Sequence, residues 1–445
     1  MKNIVLAAAV ATVLCAVSMG ASAASSDELA QIREQLQGLM QRVDRLEQEN
    51  TELQAENENL KAQDDYLKAE ARGLRKEAAM QSVEVAKVKG ADWASKVALK
   101  GDLRYRYEMI SDDTLGSGGV PAADRYRDRI RARFNAEVKA TDAITVGIGF
   151  ATTEGDDPRS SNQTLTNVFS RKALDLDTAY FDWKFATWGG LIGGKMKQPF
   201  VKPGQSVFWD GDINPEGLAV NYSRGMFFGT AYNYWISEVS GPETSITADI
   251  MLYGAQFGAR LPVGEGRLML AAHYYDLSSG QGRAPFFGGN ANGNTTVSVG
   301  TPATAVLLND YEVINLGAEY NTLIGTLPLQ VWADLAQNQD PDDLDTAWAA
   351  GVLFGKASNY RTWEFGAAYQ VVEKDALFAQ LIDSDFGAGV SDAEGWVLRG
   401  AYSPVRNWTL NAAYFLNKRN VDVANSAGQR EIDYDRLQLD FNVKF

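Results

Sequence analysis

The chain of 445 residues has room for two or three ordinary domains or for one large barrel. Aromatic residues make up 11%, with 41 Gly and only 12 Pro, a balance that suits many strands and tight turns better than an α/β enzyme. One Cys (Cys15) and one His (His273) leave no raw material for disulfide scaffolds, Cys/His zinc sites, thiol nucleophiles or most histidine-dependent triads, and a formal charge of −15 argues against a nucleic-acid partner.

Residues 1–23 read as a secretory signal peptide: Lys2, the apolar run Ile4 to Val17, then Ala21-Ser22-Ala23, with cleavage expected after Ala23. Cleavage removes Cys15 and a single charge, Lys2, leaving a mature chain of −16. No later segment is apolar enough for a membrane helix.

Residues 24–78 are expected to form a periplasmic coiled coil. Ile32, Leu39, Leu46, Leu53, Leu60, Leu67 and Leu74 fill position d without a break, while position a passes from Leu29, Leu36 and Val43 to Asn50, Asn57, Asp64 and Ala71. Opposite charges at g and the following e (Arg42/Glu47, Glu56/Lys61, Glu70/Arg75) suit pairing between helices. Such a helix, about 70 Å long at 1.5 Å per residue, is expected to oligomerise. A linker, 79–96, follows.

From residue 97 to 445 the period is two. Strands are expected at 97–110, 125–139, 143–154, 174–186, 188–198, 216–224, 225–238, 247–261, 266–278, 310–322, 326–338, 345–357, 360–380, 394–403, 407–419 and 430–445, sixteen in all. Connections after odd strands are mostly long (Ser111 to Asp124, Gly155 to Ala173, Pro199 to Pro215, Ser279 to Asn309). Those after even strands are short (Ala140-Thr141-Asp142, Pro262 to Glu265, Ser403 to Arg406). One rim of turns and one of loops is the arrangement of an outer-membrane barrel, and a sandwich has no reason to show it. Leu437, Leu439, Phe441, Val443 and Phe445 alternate with Gln438, Asp440, Asn442 and Lys444. Leu99, Leu103, Tyr105 and Tyr107, then Ala179, Phe181, Trp183 and Phe185, then Trp408, Leu410, Ala412 and Tyr414 form further outward sets, with rings at strand ends suited to lipid headgroups. The expected fold is all-β, a sixteen-stranded antiparallel transmembrane β-barrel preceded by an α-helical coiled coil.

Four segments carry a family resemblance: Gly101-Asp102-Leu103-Arg104-Tyr105-Arg106-Tyr107, Asp157-Pro158-Arg159-Ser160-Ser161-Asn162-Gln163-Thr164-Leu165, Gly194-Lys195-Met196-Lys197-Gln198-Pro199-Phe200 and Trp209-Asp210-Gly211-Asp212-Ile213-Asn214-Pro215-Glu216-Gly217. In this order they resemble the putative porin family of proteobacterial outer membranes, over nearly the whole mature chain. The resemblance implies a barrel that passes small solutes, packs as a trimer, and folds its third long loop inward to narrow the channel.

Arg125, Arg127, Arg129, Arg131 and Arg133 alternate along one strand, so all five project to one face, and Arg104 and Arg106 join them from the preceding strand, flanked by Asp102 and Glu108. On the lipid side each would cost about 2–4 kcal/mol near the midplane; they are expected to line the pore. Such a wall attracts anions, unless local carboxylates neutralise it as a structural ladder. The third long loop supplies Lys202, Trp209, Asp210, Asp212 and Glu216 as candidate constriction residues, with Asp210 and Asp212 expected opposite the arginine wall and Gly211 free to take a positive φ. His273, mid-strand with lumen parity, reads as a polar wall residue, and no catalytic, metal or cofactor site is expected. The function so read is passive diffusion of small hydrophilic solutes through the outer membrane, with anion preference, by a homotrimer whose coiled coil has a possible periplasmic partner. The alternative is a structural tether or surface adhesin with a plugged barrel, Ser279 to Asn309 being its adhesive segment.

Overall fold

The computed structural model describes residues 26–88 and 94–445, apart from 117, 118, 156, 245, 287 and 288; the signal peptide expected at 1–23 lies outside them. Two compact units divide at Asp92 and Trp93. The first holds one helix, α1 (Ser26–Val88), which runs on into the stretch read as linker from residue 79. Leu39, Leu46, Leu53, Leu60, Leu67 and Leu74 along it are each 55–61% exposed.

The second unit is built from β1 (Val97–Asp112), β2 (Arg125–Lys139), β3 (Ile144–Thr153), β4 (Gln163–Thr164), β5 (Ala173–Ala186), β6 (Gly189–Lys195), β7 (Glu216–Arg224), β8 (Phe227–Ser237), β9 (Ile250–Val263), β10 (Gly266–Leu277), β11 (Thr296–Val299), β12 (Thr304–Leu307), β13 (Glu312–Ile324), β14 (Leu327–Asn338), β15 (Thr346–Gly355), β16 (Thr362–Val372), β17 (Ala393–Val405), β18 (Trp408–Arg419) and β19 (Ile432–Lys444). All but β4, β11 and β12 form a closed antiparallel barrel of sixteen strands. It is sealed where β1 pairs with β19, Tyr105 opposite Phe441. Closure satisfies every strand edge, as a lipid-facing sheet requires. The turns between β7 and β8, β9 and β10, and β13 and β14 open with Gly225, Gly264 and Gly325 at φ of 62°, 57° and 62°, the conformation that a two-residue hairpin asks of its first residue.

Alternation sorts the side chains by face. Leu103, Tyr105, Phe181, Trp183, Leu410, Tyr414, Leu439 and Phe441 are exposed on the outside, whereas Arg106, Glu108, Arg129 and Arg131 are buried inside. Near the turns, Trp183, Phe185, Trp188 and Tyr222 form a chain of rings with centroids 5.7, 5.8 and 6.0 Å apart. Near the loops, Trp348, Tyr369 and Trp396 form another, at 5.6 and 5.2 Å. Two such girdles mark the two headgroup levels of a bilayer.

The strand read at 360–380 ends at Val372. Residues 373–392 instead turn into the barrel as a seventh long connection, with Phe378, Ala379, Leu381, Ile382 and Phe386 buried. The fifth connection (278–311) contains the β11–β12 hairpin and packs on the seventh: Asn294 donates to Lys374 O and Leu377 O at 3.0 and 2.9 Å and accepts from the Ala379 N–H at 2.8 Å.

Candidate functional site

The register of β1 on β2 sets Arg104 opposite Arg131 and Arg106 opposite Arg129. Like charges so placed repel, and buried guanidiniums without partners are costly. The structure meets both problems with interleaved carboxylates. Asp102 receives Arg131 at 3.0 Å and Arg133 at 2.8 Å. Glu108, wholly inaccessible, is hydrogen-bonded by Arg127 and by Gln438 at 3.1 Å, and pairs with Arg436 at 3.4 Å. Asp440 on β19 takes Arg106 in a two-pronged pair at 2.7 and 2.9 Å. Arg129 reaches Glu154 at 3.5 Å and donates to Asn162 O at 2.9 Å. Arg125, exposed at the start of β2, makes no ion pair among the described residues. The wall is thus a lattice: Arg104, Arg106, Arg127, Arg129, Arg131, Arg133 and Arg436 against Asp102, Glu108, Glu154, Asp212, Asp385 and Asp440.

The third long connection (196–215) lies inside the barrel, held by its backbone. Val201 exchanges hydrogen bonds with the Gln256 side chain at 2.9 and 2.6 Å, Gly204 N–H donates to Glu319 at 2.7 Å and Val207 N–H to Gln370 at 3.0 Å. Phe208 and Trp209 are buried, Trp209 edge-on to Phe200 at 5.3 Å, and Phe200 sits 4.3 Å from the His273 ring. His273 therefore packs under the loop, bonded to Tyr232 Oη at 2.8 Å. Lys202 ties the loop to itself, donating to Trp209 O at 2.6 Å and Ser206 O at 3.2 Å.

The two acids of this loop do not face the arginine wall across an open lumen. Asp212 touches it, 3.6 Å from Arg131 and 3.4 Å from Arg133. Burial pushes its carboxyl up, but Arg131, Arg133 and Arg104 outweigh that and hold it below the usual range. Asp210 turns to the seventh connection instead, accepting the Ser384 N–H at 2.9 Å while its own N–H donates to Leu381 O at 2.8 Å. Burial first, then the carboxylates of Asp383 and Asp212, raise Asp210 well above the usual range. Gly211 between them is not among the positive-φ glycines. Glu216 opens β7, exposed and paired with Lys195 at 2.9 Å, away from these contacts.

A polar cavity of about 300 Å³ remains, lined by Arg104, Arg106, Arg131, Arg159, Asp210, Asp212, Glu364, Asp383, Asp385 and Arg399 among others. Sequence reasoning passed over several of these. Asp440, which also lines the cavity, shares the parity of Gln438 and Asn442, as does Arg436 of the wall, and pairing the last strand with the first would have brought Asp440 beside Arg106. Asp385 and Arg159 carry no such signal, because they arrive on loops. Arg159, buried, donates to Gly389 O at 2.9 Å and pairs with Asp157 at 2.8 Å.

The described family model Putative porin matches residues 121–309 and 304–445. Among solved structures the chain is similar to Pseudomonas putida OprB at high pH, with TM-score 0.52 and 13% identity over 79% of this chain and 95% of that one. It is also similar to a loop-deletion mutant of OmpT from Vibrio cholerae, with TM-score 0.45 and 12% identity over 79% and 100% of the two chains. No curated protein sequence matches. A closed sixteen-stranded barrel, apolar outside and charged within, joined to a family match over most of its length, makes this chain a member of the putative porin family.

Proposed function

We propose that the protein is an outer-membrane porin giving passive diffusion of small hydrophilic solutes, with a weak anion preference, and that it works as a homotrimer whose α1 helices associate. The observation that carries this reading is the charged cavity of about 300 Å³ inside a barrel with an apolar exterior. The preference is weak because the seven wall guanidiniums meet six carboxylates, a small positive excess along the wall, while the cavity itself has five guanidiniums against six carboxyl groups. Lining charges act at a few ångströms, while the many exposed acids are screened beyond about 10 Å at 0.1 M salt.

Planar-bilayer recording on the purified protein tests it. Stepwise currents and a zero-current potential slightly on the anion side in a KCl gradient are expected; clear cation preference would overturn the anion reading. Replacing Arg127, Arg129 and Arg131 together by Gln removes three lining cations and leaves Glu108 with Arg436 and Asp102 with Arg133, so the potential should move toward cations. A second reading, a tether with a plugged barrel, draws on the three connections packed into the lumen; it requires recordings with no steps at all.

A further inference from the structure

Most charges around the cavity have partners of opposite sign, but besides Asp210, which is turned to the backbone of the seventh connection, four do not share in the lattice fully. Arg399 on β17 makes no ion pair among the described residues and lies over the Phe415 ring at 5.6 Å. Arg104 is held by the neutral amide of Asn442 at 3.0 Å and reaches Asp440 only at 3.5 Å, Asp440 being taken by Arg106. Glu364 on β16 likewise makes no ion pair among the described residues. Among the described residues Asp383 makes no ion pair and accepts backbone N–H groups, from Asp385 at 2.9 Å and Phe386 at 3.3 Å. All four line the same cavity.

They are also fixed in place. Arg104, Glu364 and Arg399 stand on paired barrel strands, and the Asp383 backbone N–H is tied to Val207 O at 2.9 Å. Glu364 and Arg399 are diagonal neighbours across β16 and β17, yet among the described residues no two of the four come within ion-pairing distance of each other. Half-buried charges of both signs, held apart in one small polar space, are satisfied by water or by a solute that carries both signs. A simple anion would answer Arg104 and Arg399 and worsen the position of Glu364 and Asp383; a simple cation would do the reverse.

We propose that this cavity is a binding site for zwitterions bearing a carboxylate and an ammonium group, that is, free amino acids and short peptides, with the carboxylate at Arg104 and Arg399 and the ammonium at Glu364 and Asp383. The proposal rests on the porin reading for the solute's route and goes beyond it in naming the solute class.

The test is calorimetric titration of the purified full chain in detergent with glycylglycine, and with acetate, ethylammonium and glycerol as controls. Glycylglycine should bind saturably and each control at least about tenfold more weakly. Arg399→Gln and Glu364→Gln should each weaken glycylglycine roughly tenfold, the loss expected for one charged hydrogen-bonding partner. Absence of saturable binding overturns the proposal, as does acetate binding as tightly as glycylglycine, or two folded variants that bind like the parent. If a variant fails to fold, the comparison of the four probes on the parent protein decides alone. In bilayers, glycylglycine should reduce the open current with the same half-saturation. Current without binding removes the site and leaves the porin; binding without current removes the porin and leaves the site.

Discussion

Glu108 shows how much one side chain can hold. It is wholly inaccessible and gathers Arg127 from β2 and Arg436 and Gln438 from β19. Taking away its charge leaves guanidiniums buried without a counter-ion, so Glu108→Gln should cost about 3–5 kcal/mol, read as a lower thermal midpoint in detergent, and adding Arg127→Gln should recover part of the loss. Asp210 poses a different question, one of pH. Its carboxyl, raised by burial and by the neighbouring Asp383 and Asp212, stays protonated in the fold beyond the pH at which a free carboxyl ionises. The stability this gives is full below the ordinary carboxylate pKa and is lost as pH rises through the raised value. Contact between the third and seventh connections should therefore tighten on acidification, quieting open-channel noise. Asp210→Asn should be quiet at neutral pH and flat across the titration; a noise profile that still follows pH in the variant would assign the effect elsewhere.

Among elements, the seventh connection was the hardest to foresee. Ala376 to Ile382 is an apolar run broken only by Gln380 that follows a strand after three residues, and a segment lying against the inside of a barrel buries the same residue types as a strand within its wall. Only the Glu373-Lys374-Asp375 interruption distinguished them. Phe378, fully buried between Phe286 at 5.8 Å and Tyr311 at 5.4 Å, is its anchor. Phe378→Ala should remove about 3–5 kcal/mol of packing, loosen the connection and raise single-channel conductance with added flicker; unchanged conductance would mean that the third connection alone sets the bore. The sixteen barrel strands were legible in number and order, with ends within about three residues except at 360–380, because alternation is imposed by lipid on one side and charge on the other. The alternating arginines were legible too, by parity. Of their partners, Asp102 and Glu108 were legible beside them and Asp212 was expected across from them; Asp385 was not, because it comes from a loop, nor was the Arg106 to Asp440 pair, which spans 334 positions, a separation that no local pattern records.

At the scale of the molecule, the exposed leucine stripe of α1 carries the association proposed above. Asn50 and Asn57 at position a leave dimer and trimer open from the heptads alone, and the three-fold packing proposed for the barrels would favour the trimer. Residues 24–90 made alone should sediment as a helical trimer whose melting temperature rises with concentration; a monomeric, unstructured fragment, with a monomeric full-length protein in mild detergent, would defeat the proposal. The seam between β1 and β19 has a consequence for how such a molecule can be made. Joining strands more than 300 positions apart carries a loop-closure penalty of about 5 kcal/mol before any contact across the seam repays it, so this ladder is expected to form late. Until then β1 and β2 present a basic edge lacking Asp440, and β19 a free edge bearing it. These two edges attract each other across the gap. The charges that line the finished lumen would then also act as a latch during biogenesis, drawing the cylinder shut, and variants at Asp440 should insert slowly even where the completed barrel tolerates them.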